Sequence, residues 1–132
     1  MKVAVVGSRV FRDYKFLDRT LKMFQEKYGL SWIISGGARG ADSLAERWAK
    51  DNQIVGLTVY IAQWNTFGKS AGMKRNYQIV DNADTVIAFL HPNSKGTWHT
   101  IKLATAKQKP CLLCFSPNYY PDRGEYEMRK NE

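Results

Sequence analysis

The alternation of two kinds of segment does most to limit what this chain can fold into. Short runs rich in β-branched and aliphatic residues, KVAVVG at 2–7, SWIIS at 31–35, DTVIAFL at 84–90 and PCLLCF at 110–115, read as strands, and the most continuous of them as strands covered on both faces. Stretches with helical spacing lie between them: Leu17, Leu21, Phe24 and Tyr28, closed by Gly29; Leu44, Ala45 and Trp48 within 41–51; Met73, Tyr77 and Val80; Ile101 and Ala104 within 97–107. A further β-rich run at 54–61, interrupted by Gly56, supplies the third strand. Five strands alternating with four helices, without linker or internal repeat, predict an α/β fold: a single Rossmann-like domain with a five-stranded, mostly parallel sheet and helices on both faces. The domain is expected over residues 1–116, and 117–132, with two prolines and little periodicity, as a C-terminal tail or loose covering element.

In this topology every strand-to-helix loop emerges at the carboxyl edge of the sheet, where open α/β proteins bind ligands. The helix-to-strand connections YGLS, KDNQ, DNAD and KQKP are short and plain. Their opposites, GSRVFRDY, GGARGAD, QWNTFGKSAGMKRN and HPNSKGTWHT, concentrate Gly, Ser, Arg, Lys and Trp. Glycines in GGARGAD let backbone N–H groups approach a bound atom, and a helix begins immediately after, offering unpaired donors and a positive dipole end. Phosphate is the simplest anion for such a place. SKGTW repeats the arrangement, with Gly96 for close approach and Thr97 as a helix cap and hydroxyl donor. Arg9, Arg39, Lys69 and Arg75 are candidates for charge-assisted hydrogen bonds to phosphate oxygens. Ser35 and Ser94, beside these glycines, complete the polar set. Trp64, Phe67 and Trp98 are candidates for stacking on a nucleobase or for packing under the long loop. Asp42 has two readings: a carboxylate favourable at a helix N-terminus, with Ser43 and Glu46 spaced as a capping box, or a group that bonds a ribose hydroxyl or acts as a base.

A formal charge of +8 favours anionic partners, but the excess is scattered and forms no block of five like charges. The apolar runs are far shorter than a membrane span, and Gly7, Ser8 and Arg9 break the first of them, so no membrane partner and a cytoplasmic location are expected. Cys111 and Cys114 sit three apart on a strand and so point to opposite faces, which excludes a shared metal and makes them core residues. FGKS is not a phosphate-binding Walker loop, because Gln63 stands where the first glycine is required. GGARG is not the dinucleotide fingerprint, which disfavours ordinary NAD binding. Neither metal nor cofactor is expected, apart from a nucleotide-derived ligand.

The segments VVGSRVFRDY, ISGGARGADSLAERWA, GKSAGMKRN after a Trp, and ADTVIAF followed by SKGTWHTIKLA occur in an order and spacing that resemble the YspA-like branch of the SLOG superfamily. These are Rossmann-like domains related to LOG proteins and to the DprA core, and the resemblance runs from Met1 to about Phe115. It implies a nucleotide-built ligand contacted by Gly7, Ser8, Arg9, Gly36, Gly37, Gly40, Asp42, Arg75, Asn76, Gly96 and Thr97, and a possible homodimer. LOG-type phosphoribohydrolases carry P-G-G-x-G-T-x-x-E with a catalytic Glu; here that position is Thr100, and Asn93 and Ser94 replace the first glycine pair. Hydrolysis of an N-glycosidic bond needs a group to activate water, which Thr does not provide, so Asp42 would have to serve. The expected function is therefore binding, for sensing or sequestration, of a nucleotide or nucleotide-derived ligand such as an ADP-ribose-like molecule. The alternatives are an N-glycosidase of nucleotides and a DprA-like nucleic-acid-binding module.

Overall fold

The computed structural model describes residues 1–53 and 56–130. Its elements in chain order are β1 (Lys2–Gly7), α1 (Tyr14–Tyr28), β2 (Trp32–Ser35), α2 (Ala41–Asp51), β3 (Gly56–Val59), α3 (Trp64–Phe67), a 3-10 turn (Gly68–Ser70), α4 (Ala71–Asn82), β4 (Thr85–Phe89), α5 (Lys95–Ala106), β5 (Cys111–Cys114) and β6 (Tyr126–Arg129). The strands form one sheet in the order β3-β2-β1-β4-β5-β6, parallel throughout except for the antiparallel pair β5/β6. The chain winds outward from β1 to β3, then returns to β4 on the other side of β1. This reversal opens a crevice between the carboxyl ends of β1 and β4.

Period-two geometry sends successive residues of β1 into two cores. Val3 and Val5 meet Phe16, Leu17 and Leu21 of α1 and Ala45 and Trp48 of α2. Ala4 and Val6 meet Ile79 and Val80 of α4 and Ile101 and Ala104 of α5. With helices on both faces, β4 and β5 are buried along their whole length, and this is why their sequences carry no polar alternation. Cys111 falls in one core and Cys114 in the other, and burial pushes the Cys111 thiol up to about 12 and Cys114 well above its ordinary value. Gly29 closes α1 in the left-handed conformation (φ 75°), its N–H donating to the Gln25 carbonyl at 3.0 Å.

Three details differ from expectation. The stretch read as a tail contributes the sixth strand: Tyr126 and Met128 pack on the first core, Tyr126 stacks on Phe16 at 5.7 Å, and Glu125 takes both Arg19 guanidinium nitrogens at 2.9 Å. Four residues behind a proline-rich turn leave too short a pattern to read. In α4 the buried residues are Ala71, Ile79 and Val80, while Met73 and Tyr77 are exposed. The middle of the inward stripe is instead held by half-buried Arg75 and Asn76, so the hydrophobic spacing points to the wrong face. The long polar loop contains α3 and the 3-10 turn. The third strand spans Gly56–Val59, and the expected strand residues Ile54 and Val55 lie outside the described residues. Among the described residues no helix is long and apolar enough to cross a membrane.

Candidate functional site

A cleft of about 450 Å³ lies at the crevice between β1 and β4. Its floor and first wall come from the end of β1 and the loop after it, Val6 to Val10. Ala38 and Asp42 enter from the β2–α2 loop, and Arg75, Asn76 and Ile79 from α4. The opposite wall is the loop after β4 and the head of α5, from Pro92 to Thr97, with Thr100 one turn further on.

Two glycines allow these elements to meet. A Cβ on Gly7 would stand 2.5 Å from the Phe89 carbonyl oxygen and 2.6 Å from the Ala41 Cβ, so only glycine lets β4 and the start of α2 close onto the end of β1. Gly40 has φ 75°, and a Cβ there would overlap the Ser8 carbonyl. The contact is sealed by the Ala41 N–H donating to that carbonyl at 3.2 Å, while the Ser8 N–H donates to the Phe89 carbonyl at 3.2 Å. In this structure the close approach that Gly40 permits is to the protein's own backbone.

Two amides of the glycine loop, those of Gly37 and Ala38, are also engaged internally. Ser35, fully buried beneath the loop, accepts the Gly37 N–H at 3.2 Å and donates to Glu46 Oε2 at 2.8 Å. Glu46 therefore does not close the expected capping box with Ser43; Gly40 is the N-cap of α2, without a side-chain hydrogen bond. Asp42 Oδ2 accepts the Ala38 N–H at 3.1 Å. The loop thus folds around a carboxylate of its own.

Asp42 is 7% exposed. Burial pushes its carboxyl up to about 6; the Ala38 N–H and then Arg75 pull it back, and Glu46 pushes it further up. Arg75 donates from Nη1 to the Gly36 carbonyl at 2.8 Å and from Nε to Asn76 Oδ1 at 3.3 Å. Burial lowers the Arg75 pKa first, the Asp42 carboxylate raises it, and the neighbouring Arg9 lowers it further. Asn76 Nδ2 in turn lies 3.4 Å from His99 Nδ1.

Facing this cluster is the N-terminus of α5. Its N-cap, Ser94, makes no side-chain capping bond, because its hydroxyl accepts the His91 N–H at 2.7 Å instead. Thr97, expected as the cap, sits inside the helix, buried together with Thr100. The first-turn N–H groups of a helix have no intrahelical partner and carry the positive end of its dipole, and here they border the cleft. Gly96 has open space around the position of a Cβ.

Of the residues singled out in the sequence, Gly7, Ser8, Arg9, Asp42, Arg75, Asn76, Ser94, Gly96 and Thr97 line this one cleft. Gly36, Gly37, Arg39 and Trp64 line a second depression of about 240 Å³. Ser35, Gly40 and Lys69 line neither: the first two hold the loop in shape, and Lys69 lies in the exposed 3-10 turn. Sequence reasoning missed Val6, Val10, Ala38, Ile79, Pro92, Asn93, Lys95 and Thr100 as lining residues. Ile79 was within reach, since it lies one helical turn beyond Asn76 on the same face. Among the described residues no group of His, Cys, Asp and Glu is gathered to hold a metal.

A doubly wound sheet in this order, with its cleft at the switch point, defines the Rossmann-like class of α/β domains. Within that class the chain belongs to the YspA, cpYpsA-related SLOG family, whose profile matches residues 1–67. The Gene 61 protein of Mycobacterium phage D29 is 37% identical over 118 residues, 84% of this chain and 94% of that protein, so the relationship continues beyond the profile match. Among solved structures, DNA processing protein A from Helicobacter pylori, described for its single-stranded DNA binding mode, has the same fold at a TM-score of 0.63 and 24% identity. The match covers 86% of this chain and 65% of that one, just under two thirds.

Proposed function

We propose that the cleft binds a nucleotide or nucleotide-derived ligand, an ADP-ribose-like molecule among them, and that the protein senses or sequesters it. The observation that carries this reading is a convergence: the uncapped N-terminus of α5, half-buried Arg75 and exposed Arg9 face one ligand-sized cavity whose remaining wall includes apolar Val6, Val10 and Ile79. A phosphate fits the amides at the head of α5, and a base or sugar fits the apolar wall. Binding is favoured over hydrolysis because Thr100 occupies the position of the LOG-type glutamate, and Asp42, among the described residues the one carboxylate lining the cleft, is held by the Ala38 amide.

Calorimetric titration with a panel of nucleotides tests the reading, together with mass spectrometry of small molecules released from the purified protein. Saturable binding that is lost in Arg75→Ala supports it, and absence of binding across the panel refutes it. A hydrolytic reading draws on one observation, the buried Asp42 carboxyl raised into the range of a general acid or base. Release of free base from nucleoside monophosphates, abolished in Asp42→Asn, would favour it. A nucleic-acid reading draws on the fold shared with DNA processing protein A and on the +8 charge, and predicts single-stranded DNA binding that falls steeply with salt.

A further inference from the structure

We infer that the ligand has two nucleoside-like ends joined by a diphosphate, and that Trp64 receives the second ring. This rests on the nucleotide reading of the main cleft. The second depression, about 240 Å³, is too small to be an ordinary ligand pocket alone. It is an annex: Arg9, Ala38 and Arg75 border both cavities. A molecule crossing from one to the other passes two guanidinium groups, a match for the two charges of a diphosphate bridge. Beyond them the surface turns apolar and aromatic. Ile61 and Ala62 lie beside Trp64, with Ile61 70% and Trp64 53% exposed. Neither belongs to a core cluster. A Cβ on Gly72 would lie 3.4 Å from Trp64 Cη2, so the indole rests one edge on α4. The Gly37 and Ala38 amides are engaged by Ser35 and Asp42, and the arginines hold the bridge. This differs from the dinucleotide mode in which a glycine-rich turn holds the pyrophosphate.

The test is calorimetry on the full chain with the four ribonucleoside 5′-diphosphates and the matching symmetrical dinucleoside diphosphates, which differ by one nucleoside at an equal phosphate count. At least one dinucleoside diphosphate should bind about tenfold or more tighter than its nucleoside diphosphate, the scale of one base stacking on an aromatic ring. Trp64→Ala should collapse that ratio toward one, and Trp64→Phe should retain most of it. Circular dichroism, expected to be unchanged because Trp64 supports no core, confirms that both variants fold. Equal affinities within every pair, or a ratio that survives Trp64→Ala, overturns the second subsite while leaving nucleotide binding in place. Failure of every probe to bind overturns both.

Discussion

Replacing Asp42 with Asn should change how the stability of this protein responds to pH. In the folded chain burial pushes the Asp42 carboxyl up to about 6; unfolded, it returns to about 3.9. A group whose folded pKa is the higher of the two favours folding in its protonated form. Its contribution is therefore complete below about pH 4 and is lost as the pH rises through about 6. The gap of about 2 units, at about 1.36 kcal/mol per unit, corresponds to ~3 kcal/mol, of which ~2 kcal/mol falls between pH 4.5 and 8. Asparagine has nearly the same shape, keeps an oxygen for the Ala38 N–H, and has no proton to exchange. The stability of Asp42→Asn minus that of the wild type should grow by ~2 kcal/mol in favour of the variant from pH 4.5 to 8. Urea unfolding of both proteins at intervals of pH measures this difference, and titrations common to the two cancel. A difference that stays flat refutes the assignment of a desolvated, buried carboxylate. Growth in the opposite sense would mean that the loop amides and Arg75 outweigh desolvation.

Arg75→Met removes the cation that pulls the Asp42 carboxyl down, so the same pH-dependent loss of stability should move to higher pH in that variant, again read by urea unfolding. Gly40→Ala should cost more than ~2 kcal/mol, since it combines a positive φ with overlap on the Ser8 carbonyl. Gly96→Ala meets open space inside a helix and should instead stabilise by up to ~1 kcal/mol while weakening nucleotide affinity at the cleft rim, a separation visible in parallel melts and titrations. With both thiols buried and their pKa values raised, Ellman's reagent at pH 8 should find neither Cys111 nor Cys114 in the native protein and both after denaturation.

The architecture was legible because both faces of β4 and β5 are covered, which leaves uninterrupted apolar runs in the sequence. The edge of the sheet that carries the site was legible too, from the contrast between the two sets of loops. What sequence could not give was the direction of the contacts. The glycines of the β2–α2 loop do allow close approach, yet Gly40 meets the loop after β1, and the amides around Gly37 turn to Ser35 and Asp42. Glu46 has the spacing of a capping residue but is drawn to a buried hydroxyl eleven residues earlier. In α4 the polar site residues occupy part of the inward stripe, so hydrophobic spacing selects Met73 and Tyr77, which face outward. Local pattern rules fail where a ligand cavity replaces core on one side of a helix.

The antiparallel sixth strand has a consequence for how copies of the molecule stay apart. The residues that line the cleft end at Thr100, whereas the CLLC strand is a bare seam until Tyr126–Arg129 covers it. Without that cover the fold carries its cleft beside an open, greasy hem. A copy in which that strand has come away is the one most prone to adhere to another.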